Sequence, residues 1–183
     1  MDQNKPHKDV SIWLVPSEDQ RVALRKEVDR LAARYGSCGF TPHITAYYLG
    51  TSWDDNEVVK LVNEASVGVE QIEVVAEGID YTDVFTQTLF VKYRVNQAYE
   101  DYYQKLRSRF MPSDYRGEPH LSLVYSKSMS NENKEEEKGR IEYPKNLVLD
   151  RVQVIVKEGL TIKKEEDVLE WQVVWEGQLN KHN

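Results

Sequence analysis

Apolar residues recur along this chain with two periods, and these periods predict where helices and strands lie. Spacings of three and four positions are typical of the buried face of an amphipathic helix. They predict three helices, whose apolar positions are Leu24, Val28, Leu31 and Tyr35; Val58, Leu61, Val62 and Ala65; and Tyr99, Tyr102, Leu106 and Phe110. Ser17 is the expected N-cap of the first helix, and Gly36 is the residue expected to end it.

Alternating and continuous apolar stretches predict strands between these helices. The predicted strands are 10–16, 41–49, 72–79, 85–95, 148–156 and 168–175, with one more after a loop at 111–118. A strand, a helix and a strand follow one another in both halves of the chain. This order predicts two pseudo-symmetric lobes whose sheets face each other across a cleft.

The lobes are expected to form one domain, because no linker rich in Pro, Gly or Ser divides the 183 residues. The segment 126–140 is polar and charged throughout. We expect it to be a surface loop with a short helix near the mouth of the cleft. A mobile lid is the alternative interpretation of this segment.

One short pattern occurs twice, as Pro42-His43-Ile44-Thr45 and as Pro119-His120-Leu121-Ser122. In each copy the histidine follows a proline, and the chain continues into an apolar stretch that contains tyrosine. The two remaining histidines, His7 and His182, lie near the ends of the chain. Every interior histidine therefore belongs to a copy of this pattern.

Residues i and i+2 of a strand point to the same face, so each histidine is expected to share a face with its hydroxyl residue. Imidazoles titrate at roughly 6.5, so one can be a base while the other is an acid. We expect His120 to be the base and His43 the acid. Thr45 and Ser122 can donate hydrogen bonds to phosphoryl oxygens, where charge develops during cleavage.

Two other interpretations of the histidines are less favoured. A single His-x-Thr is common, and a lone strand histidine is more often structural than catalytic, but two proline-led copies favour catalysis. Zinc usually takes three or four protein ligands, and the two histidines with Cys38 make a poor set. We therefore expect neither a metal nor a cofactor.

At these motifs the chain resembles the 2H phosphoesterase superfamily, and within it the cyclic phosphodiesterases of the plant and yeast tRNA-splicing pathway. The likeness extends from residues 11–16 to the last strands. It implies a bilobal α+β fold with antiparallel sheets around a central cleft and helices outside. It also implies hydrolysis of ADP-ribose 1″,2″-cyclic phosphate to the 1″-phosphate, and of nucleoside 2′,3′-cyclic phosphates to 2′-phosphates.

The resemblance also implies roles for three aromatic residues. It places Tyr125 in contact with the phosphate or the ribose. Trp13 and Phe85 match aromatics near the base-binding end of the cleft, and core packing is the equal alternative for both. The chain departs from the plant members, which carry several cysteines and can form disulfides, because Cys38 is its single cysteine.

Composition favours a small substrate. The sequence has 31 acidic and 24 basic residues and a net charge of −7, whereas a protein that grips a long phosphate backbone usually has a basic face. We therefore expect a small cyclic phosphate as the partner, no long nucleic acid and no membrane, and a monomer. The chain has one cysteine and begins with polar residues, and no apolar stretch approaches the ~20 residues of a membrane span. These features predict a cytoplasmic protein.

Two further functional classes stay open. A related enzyme of the same superfamily could act on RNA ends, as a 2′,5′-ligase or a 3′-end exonuclease. A non-catalytic module that binds nucleotides or RNA is the other alternative. The acidic balance argues against the first, and the presence of both histidines with both hydroxyls argues against the second.

Overall fold

The computed structural model describes residues 8–50, 53–110, 118–159 and 162–181. Most of the predicted loop 111–118 lies outside these ranges, as do His7 and His182.

The elements in chain order are β1 Lys8–Pro16, α1 Glu18–Tyr35, β2 Ile44–Gly50, α2 Asp55–Ser66, β3 Ile72–Asp80, β4 Leu89–Tyr93, α3 Gln97–Arg107, β5 His120–Val124, α4 Asn131–Lys138, β6 Asn146–Glu158 and β7 Gln172–Gln178. Short 3₁₀ helices cover Phe85–Gln87 and Glu165–Glu170. No helix in this part of the chain is long and apolar enough to cross a membrane.

The three predicted helices are confirmed as α1, α2 and α3. Ser17 is the N-cap of α1, and Gly36 ends the helix in the left-handed conformation with φ 64°. The N–H of Gly36 donates to the carbonyl of Ala32, which satisfies a carbonyl at the helix end. Helix α2 begins after Asp54, whose side chain accepts from two backbone N–H groups of the first turn.

Three of the predicted strands begin later than expected. The predicted strand 41–49 begins at Ile44, and the predicted strand 85–95 opens with a 3₁₀ turn before β4 starts at Leu89. The predicted strand 168–175 starts only at Gln172. Val168 belongs to the 3₁₀ helix before β7, because the carboxylate of Asp167 accepts the backbone N–H groups of residues 163 and 164 and closes a turn.

All strands pair antiparallel, in the order β1-β2-β5-β4-β3-β6-β7, and β6 also pairs with β1. Strand β6 is long enough to pair with β1 along one edge and with β3 and then β7 along the other. This confirms the α+β fold class, and β6 joins the two halves in a continuous sheet. The motif strands β2 and β5 meet where Ile44 pairs with Leu121, so the residues that follow the two histidines are direct neighbours.

The two faces of β1 show how the sheet separates core from cleft. Val10, Ile12 and Leu14 are fully buried in the main core cluster, together with apolar residues of α1, α2, α3 and β6. Ser11 and Trp13 alternate with them and point to the opposite face, where both line a cavity. Burial of one face of the strand therefore fixes which side chains reach the cleft.

Helix α4 is the short helix expected within 126–140, and it is firmly attached to α1. Its Glu137 is fully buried and accepts hydrogen bonds from Arg30, Arg34 and Tyr35. Lys134, also buried, donates to the backbone carbonyl of residue 82. Breaking such buried charge pairs is costly, so these contacts favour a fixed helix over the alternative of a mobile lid.

Candidate active site

A cavity of about 330 Å³ lies on the face of the sheet opposite the main core. Both motif histidines line it. The other residues that line it are Asp9, Ser11, Trp13, Thr45, Tyr48, Thr86, Gln87, Tyr125, Ile155, Lys157, Ile162 and Trp171. The cavity size is typical of sites for small molecules.

The two histidines are held in the same way. The Nδ1 atom of His43 lies 2.6 Å from the carbonyl oxygen of Thr41, and that of His120 lies 2.9 Å from the carbonyl oxygen of Glu118. A carbonyl only accepts, so each Nδ1 carries the proton and donates, which leaves Nε2 for chemistry. Thr41 and Glu118 each precede a proline, which holds the preceding residue in extended backbone. The proline of each motif thus fixes the carbonyl that orients the ring.

His43 is deeply enclosed. The residue is 5% exposed, and its ring stacks on the indole of Trp13, with 3.4 Å between ring centroids and 7° between planes. The edge of Trp171 packs at 5.6 Å. The pKa of His43 is lowered to about 3, mainly by burial and also by the charge of His120, against the opposing effect of the Thr41 carbonyl. His43 is therefore neutral near pH 7.

His120 is more open. Its ring is half-buried and contacts the edge of Phe90 at a centroid distance of 5.3 Å. Burial lowers its pKa, while the carbonyl of Glu118 raises it. His120 is the imidazole of the pair that more readily takes a proton.

The two hydroxyl residues differ in position. Thr45 lines the cavity beside His43. The pairing of β1 with β2 shifts register, from Ile12 opposite Tyr47 to Trp13 opposite Thr45, and such a bulge re-aims side chains. As a result Thr45 and Tyr48 both reach the cavity, although they are three positions apart.

Ser122 is 4% exposed and is not among the residues that line the cavity. Its hydroxyl donates to the carbonyl of Thr86 over 2.8 Å. This carbonyl belongs to the 3₁₀ turn Phe85–Gln87, which places it within reach of β5. The structure therefore brings Thr45 together with both histidines, whereas the Ser122 proton is directed to the backbone.

The predicted aromatic residues are placed differently from one another. Tyr125 lines the cavity and stacks on Phe40, with a centroid distance of 4.4 Å. Phe85 lies behind Tyr125 at 5.8 Å and is not among the cavity-lining residues. One face of Trp13 is covered by His43, so Trp13 supports the imidazole ring and does not offer that face to a nucleotide base.

Sequence reasoning missed Trp171, which makes edge contacts with four of these rings: Trp13, Phe40, His43 and Tyr125. Its position in a predicted strand carried no signal for this role. Asp9 and Ser11 were also missed, although they share a face with Trp13 at positions i−4 and i−2. Strand periodicity could have found these two once Trp13 was chosen.

Within the described ranges, no group of three or more His, Cys, Asp or Glu side chains is arranged to hold a metal ion. The metal-independent chemistry expected from the sequence stays a prediction for experiment.

Known family profiles do not match this sequence, and no curated protein matches it. Solved structures do. Three of them share the fold of this chain over nearly its whole length, and this confirms the fold class expected from the sequence. TT0787 of Thermus thermophilus is 14% identical, with a TM-score of 0.62, and the match covers 96% of this chain and all of that one.

Two further neighbours have the same fold. E. coli LigT, solved in complex with NADP⁺, is 10% identical with a TM-score of 0.59, and the match covers 94% of this chain and 98% of LigT. A structure described as a phosphoesterase is 9% identical with a TM-score of 0.59, covering 96% of this chain and 99% of its own. At these identities the likeness establishes the fold.

Proposed function

We propose that this protein hydrolyses cyclic phosphodiesters of ribose without a metal. The substrates are ADP-ribose 1″,2″-cyclic phosphate, cleaved to the 1″-phosphate, and nucleoside 2′,3′-cyclic phosphates, cleaved to 2′-phosphates. One observation carries the proposal: two imidazoles, each fixed through Nδ1 by a pre-proline carbonyl, line the same cavity. This arrangement supplies one proton acceptor and one proton donor at fixed positions.

In the proposed reaction a water oxygen attacks phosphorus while one imidazole takes a proton from that water. The bond from phosphorus to one ribose oxygen breaks, and the second imidazole gives its proton to that oxygen. The product is a phosphomonoester. Thr45, which lines the cavity, donates its hydroxyl to a non-bridging oxygen that gains charge in the transition state. Tyr125 contacts the same phosphate or the ribose.

The pKa directions favour His43 as the base and His120 as the acid, the reverse of the assignment expected from the sequence. His43 is neutral near pH 7 because burial lowers its pKa to about 3. Burial lowers the pKa of His120 as well. A bound anionic substrate has the opposite effect, because its negative charge favours the protonated form of this more open ring. The dependence of kcat/KM on pH should be bell-shaped, and its limbs belong to the coupled pair.

A phosphate-release panel tests the proposal. It compares adenosine 2′,3′-cyclic phosphate, ADP-ribose 1″,2″-cyclic phosphate, a 2′,5′-linked oligonucleotide and a 3′-tailed RNA, each with and without excess EDTA. We expect turnover of the two cyclic esters and no effect of EDTA. Activity that EDTA removes and zinc or manganese restores would instead identify a metallophosphoesterase. Turnover of the RNAs alone would favour the RNA-end alternative.

A further inference from the structure

The cavity has a polar end away from the histidines, which the proposed reaction leaves unused. Asp9, Tyr48 and Lys157 line this end. The Tyr48 hydroxyl donates to Asp9 Oδ1 over 2.8 Å. Lys157 Nζ lies 3.0 Å from Glu170 Oε2 and donates to the carbonyl of Glu158.

Strand register separates this end from the reacting groups. Asp9 and Trp13 lie on the same face of β1, four residues or roughly 13 Å apart, and Trp13 carries His43 on its ring. Asp9 is paired with Lys157 across β1 and β6. Strand side chains stand roughly perpendicular to the sheet, so Lys157 and His43 contact different parts of a bound ligand.

Lys157 has the charge and burial of an anion-binding group. It is the single lysine or arginine among the described residues that line the cavity. Its side chain is 7% exposed, whereas that of Glu170 is 55% exposed. A buried ammonium requires a counter-charge, and Glu170 supplies it from the rim. A phosphate that enters the cavity can displace or join this exposed carboxylate, because its oxygens accept strong charge-assisted hydrogen bonds.

We infer that Lys157 forms a second anion subsite, which binds a phosphate on the 5-position of the ribose whose cyclic ester reacts at the histidines. The inference rests on the proposed function for the identity of the reacting group. The second phosphate belongs either to a diphosphate, as in ADP-ribose derivatives, or to the 5′-phosphodiester of an RNA end. In both cases the chain selects ribose cyclic phosphates that are extended at the 5-position.

Equilibrium binding of two products separates this subsite from catalysis. Calorimetry compares adenosine 2′,5′-bisphosphate with 2′-AMP on the wild type, on Lys157→Met and on Lys8→Met. Lys8 is the matched control, since it is paired with Asp55 and does not line the cavity. The wild type and Lys8→Met should bind the bisphosphate at least about tenfold more tightly, the effect of one charged hydrogen bond. In Lys157→Met the ratio of the two dissociation constants should fall towards one.

Glu170→Gln gives a change in the opposite direction, because it removes the carboxylate that competes for Lys157. The preference for the bisphosphate should increase in this variant. The inference is overturned if Lys157→Met keeps the preference for the bisphosphate, or if it weakens the binding of both ligands by the same factor. Either result would mean that Lys157 only holds the segment of Glu170 in place through their ion pair. Circular dichroism of each variant verifies that the comparison is made on folded protein.

The source of the second phosphate is identified by repeating the comparison with ADP-ribose 1″-phosphate and with a dinucleotide 2′-phosphate. Dependence on Lys157 for the first ligand identifies the diphosphate, and dependence for the second identifies the RNA end. Dependence for neither overturns the subsite. The proposed function and the subsite can be refuted independently. If no cyclic ester is hydrolysed but the ratio of the two dissociation constants still depends on Lys157, the proposed function is wrong and the anion subsite stands.

Discussion

The two histidine motifs have the same pattern of residues and the same Nδ1 anchor, but their surroundings differ. His43 is buried between Trp13 and Trp171, whereas His120 is half-buried beside Phe90. The hydroxyl of the first motif faces the cavity, whereas that of the second donates to a backbone carbonyl. The repeated motif therefore fixes the orientation of both rings. The packing around each motif sets the protonation of its imidazole and the hydrogen-bond partner of its hydroxyl.

The largest expected effect comes from removing either histidine. His43→Ala and His120→Ala should each lower kcat by at least about a hundredfold, since each loses one partner of the acid–base pair. The double variant should lose little more, because the two act as a unit. Steady-state kinetics on adenosine 2′,3′-cyclic phosphate measures this, and the two-histidine mechanism is refuted if either single variant keeps more than about a tenth of the wild-type rate.

The hydroxyl residues should differ from each other. Thr45→Val should lower kcat by roughly ten- to a thousandfold, as expected when a transition-state donor is lost. Ser122→Ala should change kcat only a few-fold, because its proton is directed to the carbonyl of Thr86. It should instead lower the free energy of unfolding by about 1 kcal/mol, through loss of a buried hydrogen bond.

Kinetics and urea unfolding of both hydroxyl variants test this difference. Equal losses of kcat in the two variants would show that the Ser122 hydroxyl turns towards the substrate during the reaction, and would restore the symmetry of the motifs.

The pH dependence of stability should also distinguish the two rings. Unfolded histidine binds a proton below roughly 6.5, whereas folded His43 does so only near pH 3. Between these values the unfolded chain holds more protons, so the free energy of unfolding falls as the pH is lowered. The contribution of His43 is on the order of 2 kcal/mol between pH 7.5 and pH 5.

Urea unfolding at these two pH values measures this contribution. His43→Gln should remove most of the loss on acidification, and His120→Gln, as the control, should remove less. An unchanged pH dependence in His43→Gln would mean that the buried imidazole does not titrate as its surroundings predict.

The smallest effect concerns salt. Binding of 2′-AMP should weaken only slightly between 50 and 200 mM salt, because one or two charges are neutralised. An RNA with several phosphate contacts would show a steep slope of log K against log salt. Titrations of both ligands make the comparison. Tight and steeply salt-dependent binding of RNA would overturn the small-substrate proposal.

Much of the fold could be predicted because its signals are local. Helices α1, α2 and α3 follow from spacings of three and four positions, and the end of α1 at Gly36 follows from its backbone freedom. The turns before β4 and β7 could not be predicted from apolar periodicity. They depend on hydrogen bonds such as those of Asp167, which side-chain hydropathy does not encode.

The sequence alone determined how the rings of His43 and His120 are anchored, because strand periodicity and the preceding prolines act within a few positions of each histidine. Only the tertiary structure decided the rest of the site. The partner of Ser122 is 36 positions away in the chain, Trp171 reaches the cavity from the far end of the sequence, and Lys157 lies beside Asp9 through the pairing of β1 with β6. These contacts depend on sheet register and burial, which bring together side chains whose proximity no local pattern records.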